Sequence, residues 1–458
     1  MHNINSQIGS KEKKPLTTSP PKSTVQTYSR YKDSGVEWLG EIPEHWEVRK
    51  IKYLFKEKNS LFIDGDWIES KDLGSDEVYY FTTGNIREIK FYDKERSYIS
   101  NDTFRRLNCT AIAENDILIS RLNVPLGRCC IAPKFDKKSI VSVDVCVFRP
   151  DKGFNRGFLV YLMNSPQYFT HTENEARGAI MKRISRSILG NIDIPIPPLQ
   201  EQTAIANFLD DKTEKIDQAI CIKKQQIALL KERKQILIHK AVTRGLDDYV
   251  PLKDSGVKWV GEIPEHWASV SFRRISSLQQ GLQIAIDKRL EEPIGDALEY
   301  ITTKSIHNPN DPKHYVTKPK ENVICDYQDV LLGRTGNTGE VVTNIRGVFH
   351  NNFFKIDYDK NKIERDFLVN YLNTQGIQEL IMLSAGVTTI PDLNHGEFLS
   401  LPIVLPPLSE QKEISKYIER ASQKIDTAIS LKQQEIAKLQ EYKRSLINSV
   451  VTGKVKVC

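Results

Sequence analysis

One fourteen-residue run constrains this chain more than any other feature, because it occurs twice. Residues 33–46 read DSGVEWLGEIPEHW and residues 254–267 read DSGVKWVGEIPEHW, differing only at Glu37/Lys258 and Leu39/Val260. A match of this length does not arise by chance, so the chain is internally duplicated. The copies start 221 positions apart (33 to 254). Solenoid repeats have periods of roughly 20–50 residues, so each half must be a domain with its own core. The order of short motifs supports this. Tyr80 to Ile86 answers to Tyr300 to Ile306, Asp116 to Arg121 answers to Asp329 to Arg334, and Gly157 to Tyr161 answers to Asp366 to Asn370.

Each half ends in a proline pair, IPIPPLQEQ at 194–202 and LPIVLPPLSEQ at 401–411. No Pro or Gly follows until Gly245 in one half and Gly453 in the other, which predicts two helices of about 65 Å at 1.5 Å per residue. Alternating steps of three and four place Leu209, Thr213, Ile216, Ile220, Lys223, Ile227, Leu230, Lys234, Leu237 and Ala241 on one seam. The second helix aligns Ile418, Ser422, Ile425, Ile429, Lys432, Ile436, Leu439, Lys443, Leu446 and Val450. The polar interruptions fall at matching places (Thr213/Ser422, Lys223/Lys432, Lys234/Lys443), as expected of a coiled coil in which polar seam positions fix register. Between the helical regions, β-rich runs at 78–83, 117–120 and 141–148 and a helix near 158–168 predict α+β domains. The expected architecture is two globular domains separated by two long antiparallel coiled-coil helices, with pseudo-two-fold symmetry. Its boundaries are a disordered tail at 1–30, a first domain at 31–198, a helix at 199–245, a second domain at 246–407 and a helix at 408–454. The tryptophans of the repeated run can either pack that run onto its domain or dock a partner, and His45 and His266 read as structural.

Composition narrows the function. Hydrophobic residues make up 39% and charged residues 27% of the 458-residue chain, which carries a formal charge of +6. That balance suits a soluble protein and is compatible with nucleic acid without demanding it. No apolar run approaches the 18 or so residues of a membrane span, no secretory segment is read, and the seven cysteines lack a CxxC pair, so a cytoplasmic protein with reduced thiols is expected. Phosphate-loop, HExxH, G-x-S-x-G and Asn/Asp-Pro-Pro-Tyr/Phe signatures are missing. No catalytic residue and no metal site is therefore assigned.

What remains is polar and basic loops between strands. Arg and Asn read guanine and adenine edges bidentately, while Lys, Ser and Thr commonly hold phosphates. The candidate DNA contacts in the first half are Thr83, Asn85, Arg87, Arg121, Asn123, Lys182, Arg183 and Arg186. Those in the second half are Thr303, Ser305, His307, Arg334, Asn337, Thr388 and Thr389.

The DSGVxWxGEIPEHW openings, the PPLxEQ helix starts and the KAVTRGL exit at 240–246 together resemble the specificity subunits of type I restriction–modification systems, over about residues 31–456. The resemblance implies two target-recognition domains, each reading half of a bipartite site in double-stranded DNA, with the helices as spacer. It also implies methyltransferase subunits, expected to be two, and restriction subunits as partners, with S-adenosylmethionine, ATP and magnesium bound by those partners and no cofactor on this chain. The halves agree at turns and seams but diverge in the loops, GNIREIKF against KSIHNPND. An asymmetric target is therefore expected, its unlike half-sites about one helical turn apart, about 34–36 Å. Two other classes remain open at this point, a fragment of a self-contained restriction enzyme and a coiled-coil adaptor that binds proteins.

Overall fold

The two proline pairs set the geometry of the chain. In the computed structural model, which describes residues 26–93, 96–178, 181–308, 310–386 and 391–457, long helices start on the leucine after each pair and run Leu199–Arg244 and Leu408–Val451. Proline lacks an N–H, which a first helical turn does not need. The glutamine of each PPLxEQ run stabilises the start from inside. Gln202, buried, donates to the Pro197 carbonyl at 2.8 Å and accepts the Asn155 N–H at 2.8 Å. Gln411 donates to Pro406 and Lys362 carbonyls at 2.9 and 2.8 Å and accepts the Glu364 N–H at 2.8 Å.

The chain packs as two units, one formed by the residues up to Ile220 together with those from Ile436 on, the other by Cys221–Glu435. Each unit contains a stretch of both long helices, and in each the stretches run antiparallel. In the first, Ile205 and Leu209 share a core with Ile447, Val450 and Val451, while Asp217 takes Lys443 at 2.6 Å. In the second, Lys223 meets Glu435 at 2.6 Å and Lys234 meets Asp426 at 2.7 Å. Every seam position is buried or half-buried. The lysines interrupting the seam at 223, 234 and 443 thus lean out to carboxylates on the facing helix. Solvent-exposed pairs of this kind contribute about 0–1 kcal/mol, so they select register more than they add stability. Among the described residues no helix is long and apolar enough to cross a membrane.

In the first unit the antiparallel sheet orders its strands Leu61–Asp64, Val145–Arg149, Ile117–Ser120 and Cys129–Ile131. A three-stranded sheet places Val78–Phe81 between antiparallel Ser97–Ile99 and parallel Ser139–Val141. Side chains alternate faces along a strand, so adjacent Cys129 and Cys130 enter different cores. The 141–148 run is two strands broken by a turn, and the helix expected near 158–168 is two helices, Arg156–Leu162 and Pro166–Asn174. The break has a local cause. Ser165 caps the second helix through the Tyr168 N–H and Pro166 occupies its first turn, where a continuing helix would need a proline N–H.

Just past the strand Leu61–Asp64, the Asp66 carboxylate accepts the Thr110 N–H at 3.2 and 3.3 Å, and burial pushes its pKa up to about 6. Unfolded aspartate titrates near 3.9, so the folded state holds this proton more tightly. The associated stability is fully present below about pH 3.9 and is lost as pH rises through about 6. Denaturant titrations of Asp66→Asn should therefore show the variant gaining on the parent between about pH 4 and 6, then keeping a constant lead. Parallel stability curves over that range would refute this.

The second unit repeats the plan. Strands Ser276–Gln280, Phe353–Tyr358, Val330–Gly333 and Val341–Thr343 form the antiparallel sheet, and Leu298–Ile301 runs parallel to Gly347–Phe349 in the other. In both units the repeated run makes a small hairpin, Tyr31–Asp33 with Glu41–Pro43 and Leu252–Asp254 with Glu262–Pro264. Asp33 and Asp254 each accept the N–H two residues on, at 2.9 Å, which closes the turn at the glycine. Trp46 and Trp267 are fully buried in their units' main cores. His45 and His266 reach Glu201 and Glu410 of the PPLxEQ runs at 2.8 and 2.9 Å. The repeated run is a clasp that closes each domain onto its long helix.

Candidate nucleic-acid interface

Four backbone hydrogen bonds put the loops of the two units in register. Ser120 N–H donates to the Arg128 carbonyl as Gly333 does to Glu340, and Gly127 donates to Ser120 as Gly339 does to Gly333. Arg121 N–H donates to Asp144 as Arg334 does to Asn352, and Ile184 donates to the Arg121 carbonyl as Leu393 does to Arg334. Glycine is required where the sheet edge meets the adjoining turn. A Cβ on Gly65 would stand 2.3 Å from the Ser142 carbonyl oxygen, and one on Gly281 2.3 Å from that of His350. The scaffold under the loops is the same twice.

In the first unit the segment at 121–123 lies beside 182–184, with Leu122 bridging Arg183 and the Asn123 N–H donating to the Lys182 carbonyl at 3.2 Å. This gathers Asn123, Lys182 and Arg183, all exposed. Arg183 pairs with Asp144 at 2.7 Å and Lys182 approaches Glu173 at 3.9 Å. Arg186, at the start of the following helix Arg186–Asn191, pairs with Asp64 at 3.2 Å and donates to the Phe62 carbonyl. Arg87, on the 82–87 loop, is exposed and lies 5.2 Å over the Tyr92 ring. Thr83 beside it is half-buried.

Two candidates of this unit are spent inside the fold. Asn85 is buried; its side-chain carbonyl accepts the Thr82 N–H and its amide donates to the Tyr92 carbonyl, each at 2.9 Å. Arg121 is 6% exposed, donates to the Val143 carbonyl and stands 3.3 Å from Asp64. Residue type alone places both at the surface, because Asn and Arg are usually exposed. Here a turn holds the first, and a strand-end carbonyl and a neighbouring carboxylate hold the second.

In the second unit the equivalent of Asn85 is Ser305, whose hydroxyl accepts the Thr302 N–H at 2.9 Å and donates to its carbonyl at 3.0 Å. It too is a turn lock, at the start of the helix Thr303–His307, on which Thr303 is half-buried. His307 Nε2 meets Glu340 at 2.9 Å and the Asn337 amide at 2.9 Å, both His307 and Asn337 being exposed. Arg334, half-buried, pairs with Asp392 at 2.9 Å, and Thr335 also donates to that carboxylate. Thr388 and Thr389 lie outside the described residues. The backbone register corrects their assigned equivalence, because the counterpart of Arg183 is Asp392 and that of Arg186 is His395.

Sequence reading missed three residues at these loops. His395 packs its ring, tilted, 4.3 Å from that of Phe354 between centroids, and burial, then Arg334, hold its pKa below the usual histidine value. His350 is likewise lowered by burial and by Arg289. Arg128 is buried, and among the described residues its guanidinium donates only to backbone carbonyls, those of Ile86, Leu122, Asn123, Pro125 and Thr83 at 2.8–3.2 Å. No local pattern marks it, since its acceptors include carbonyls 42 and 45 positions away.

The first unit therefore presents Asn123, Lys182, Arg183 and Arg186, paired where charged with Glu173, Asp144 and Asp64, and on the 82–87 loop Arg87. The second presents His307, Arg334 and Asn337 around Glu340 and Asp392. Donor-rich side chains over rigid strand ends suit the acceptors on base edges and phosphates. Among the described residues no cluster of His, Cys, Asp and Glu could hold a metal ion.

Comparison with known proteins identifies the family. The family described as Type I restriction modification DNA specificity domain matches residues 43–232 and again residues 275–441. The chain is 25% identical over 429 residues to the putative type I restriction enzyme MjaX specificity subunit of Methanocaldococcus jannaschii, covering 92% of this chain and 96% of that protein. It is 24% identical over 325 residues to the EcoKI specificity subunit of Escherichia coli, covering 68% of each. Its fold is similar to a chain solved in work on complex assembly and conformational transition of the type I R-M system, with a TM-score of 0.70 at 16% identity over 90% of this chain and 98% of that one. The HsdS subunit of Thermoanaerobacter tengcongensis gives 0.54 at 18% identity, with the same coverage. With one family match on each duplicated half, together spanning most of the chain, this protein belongs to the family of type I restriction–modification DNA specificity domains.

Proposed function

We propose that this chain is the subunit that directs a type I restriction–modification assembly to an asymmetric, bipartite site in double-stranded DNA. The loops of the first unit read one half-site and those of the second read the other. The long helices set the unspecified spacer between them and carry the docking of methyltransferase subunits, two per chain. Methylation of adenine and ATP-driven cleavage belong to partner subunits that bind S-adenosylmethionine, ATP and magnesium, within the cytoplasm. One observation carries this reading. Matching backbone hydrogen bonds put the two loop scaffolds in register where they leave the strands, whereas the side chains they present differ in charge and kind, Arg183 against Asp392 and Arg87 against His307. Matched scaffolds approach DNA alike and unlike side chains read unlike bases.

Mapping methylated adenines genome-wide in cells expressing the chain with its neighbouring methyltransferase tests this directly. Two unlike half-sites separated by an unspecified spacer are expected, and a palindrome would refute the assignment. Inserting seven residues into each long helix lengthens it by about 10 Å. The mapped half-sites should then stay as they were while the spacer grows by about three base pairs, at 3.4 Å per pair. An unchanged spacer would leave the helices as a docking surface only.

A further inference from the structure

We propose that Arg128 is a positioning residue for DNA reading by the first unit, and that Glu340 holds the same post in the second with the opposite charge. The inference rests on the loops being the DNA-reading surface. It adds what fixes them. The 82–87 loop follows the strand Val78–Phe81 of one sheet, and the 121–128 loop follows the strand Ile117–Ser120 of another. Among the described residues the backbone link between these segments is the Ile89–Cys130 bridge, just beyond both loops, and no strand pairing joins residues 82–87 to 121–128 themselves. Arg128 does so. Its Nε donates to the Ile86 carbonyl at 2.9 Å, Nη2 to Thr83 at 3.1 Å, and Nη1 to Leu122, Asn123 and Pro125 at 3.2, 2.8 and 3.2 Å. A guanidinium has five N–H groups in a fixed planar fork, and here five carbonyls surround it, three of them sharing the two N–H groups of Nη1.

The chemistry of the site sets it apart from an ordinary structural ion pair. Among the described residues Arg128 forms no salt bridge, so at hydrogen-bond range a buried cation is held by the carbonyl dipoles of two loops, with the Glu88 carboxylate attracting it from farther off. Burying a charge is costly unless hydrogen bonds replace water, so the loops must stay closed on the guanidinium. The carbonyls it grips belong to Thr83, to Asn123 itself and to Ile86, the neighbour of Arg87. The clamp thus fixes the backbone of the proposed reading side chains while leaving those side chains free.

In the second unit the backbone register places Glu340 at this position, since the Gly333 N–H donates to its carbonyl as the Ser120 N–H does to that of Arg128. Glu340 joins the same two loops, but through side chains, taking His307 Nε2 at 2.9 Å and the Asn337 amide at 3.0 Å. His307 follows Ile306 as Arg87 follows Ile86. One clamp grips backbone and the other grips the readers, so each half tolerates a different chemistry at its tip. Displacing a reading group by about 1 Å is enough to degrade recognition.

The test uses the full chain assembled with its methyltransferase subunits and duplexes carrying the methylation-mapped target. Matched duplexes carry a single mismatch in one half-site or the other. Arg87→Ala identifies which half-site the first unit reads and lowers the slope of log affinity against log salt if Arg87 holds a phosphate. Arg128→Lys keeps the charge without the fork, and Arg128→Gln removes the charge. Both should cut mismatch discrimination in the first unit's half-site about tenfold, leaving the other half-site and the salt slope unchanged, because Arg128 itself touches no phosphate. Glu340→Gln, at a partly exposed loop position that does not threaten folding, should mirror this on the second half-site. Discrimination unchanged in all three variants, or falling equally in both half-sites, would overturn the proposal. If Arg87→Ala alters binding while the Arg128 and Glu340 variants do not, the clamp fails and the reading surface stands. If none of the variants alters DNA binding, the reading surface itself is wrong.

Discussion

Alanine at Trp267 is expected to destabilise the second unit by about 3–5 kcal/mol, the range for deleting a large buried aromatic side chain. Three segments meet on this ring. Its own hairpin supplies it, the start of the helix Leu408–Val451 accepts its Nε1–H through Glu410 at 3.2 Å, and the exit of the helix Leu199–Arg244 passes over it at Gly245. Gly245 sits at φ +75°, and a Cβ there would stand 3.2 Å from the ring. Trp46 holds the same place in the first unit, against Gly453 and Pro43, and Trp46→Ala should cost as much. Phenylalanine separates the two sites. Among the described residues buried Trp46 Nε1 has no partner, and Glu201 accepts the Tyr28 hydroxyl instead, so Trp46→Phe gives up no hydrogen bond to them. Trp267→Phe breaks the bond to Glu410 and should cost about 1 kcal/mol more than Trp46→Phe. Amide hydrogen exchange assigns each loss to its unit, and either alanine variant losing less than about 1 kcal/mol would contradict the clasp.

Replacing Lys182, Arg183 and Arg186 together with alanine should weaken binding to the mapped target about a hundredfold while leaving the fold nearly untouched. The three side chains are 46%, 48% and 44% exposed, and their carboxylate partners are surface or half-buried groups. Pairs of this kind contribute about 0–1 kcal/mol each, so the melting temperature should move little. Against DNA each cation is worth about 1 kcal/mol or more, and each phosphate that is no longer neutralised reduces the salt slope by about 0.9. Titrations at several salt concentrations should show both effects, with the weakening confined to the half-site assigned to the first unit. Affinity and slope equal to those of the parent would remove these residues from the interface.

Much of the fold was legible because its signals are local. The helices end where glycine first reappears, at Gly245 and after Val451, and the seam read from three–four spacing is buried or half-buried throughout. The strand Ile117–Ser120 falls on its sequence run, since continuous apolar residues suit a strand covered on both faces. Near 158–168 apolar periodicity spans the break and suggests a single helix, and the Ser165–Pro166 start is the local signal that divides it. The loops were less legible. Asn85, Ser305 and Arg121 carry the chemistry of DNA contacts, yet their hydrogen bonds are used within turns and against a neighbouring strand end. Composition reports what a side chain can donate, not whether the fold has already taken the donor.

By itself the sequence determined the duplication, the two helices with their polar interruptions, and the shared identity of the clasp in both halves. Repetition and periodicity survive without coordinates because they are properties of order along the chain. Only the tertiary structure decided what the clasp closes on, His45 on Glu201 and His266 on Glu410, contacts that span 156 and 144 positions. It alone decided that Arg128 and Glu340 occupy one place, since the loops differ in length and only the backbone hydrogen bonds align them. A long-range hydrogen bond depends on two segments arriving at one point, and nothing in either segment alone records that meeting.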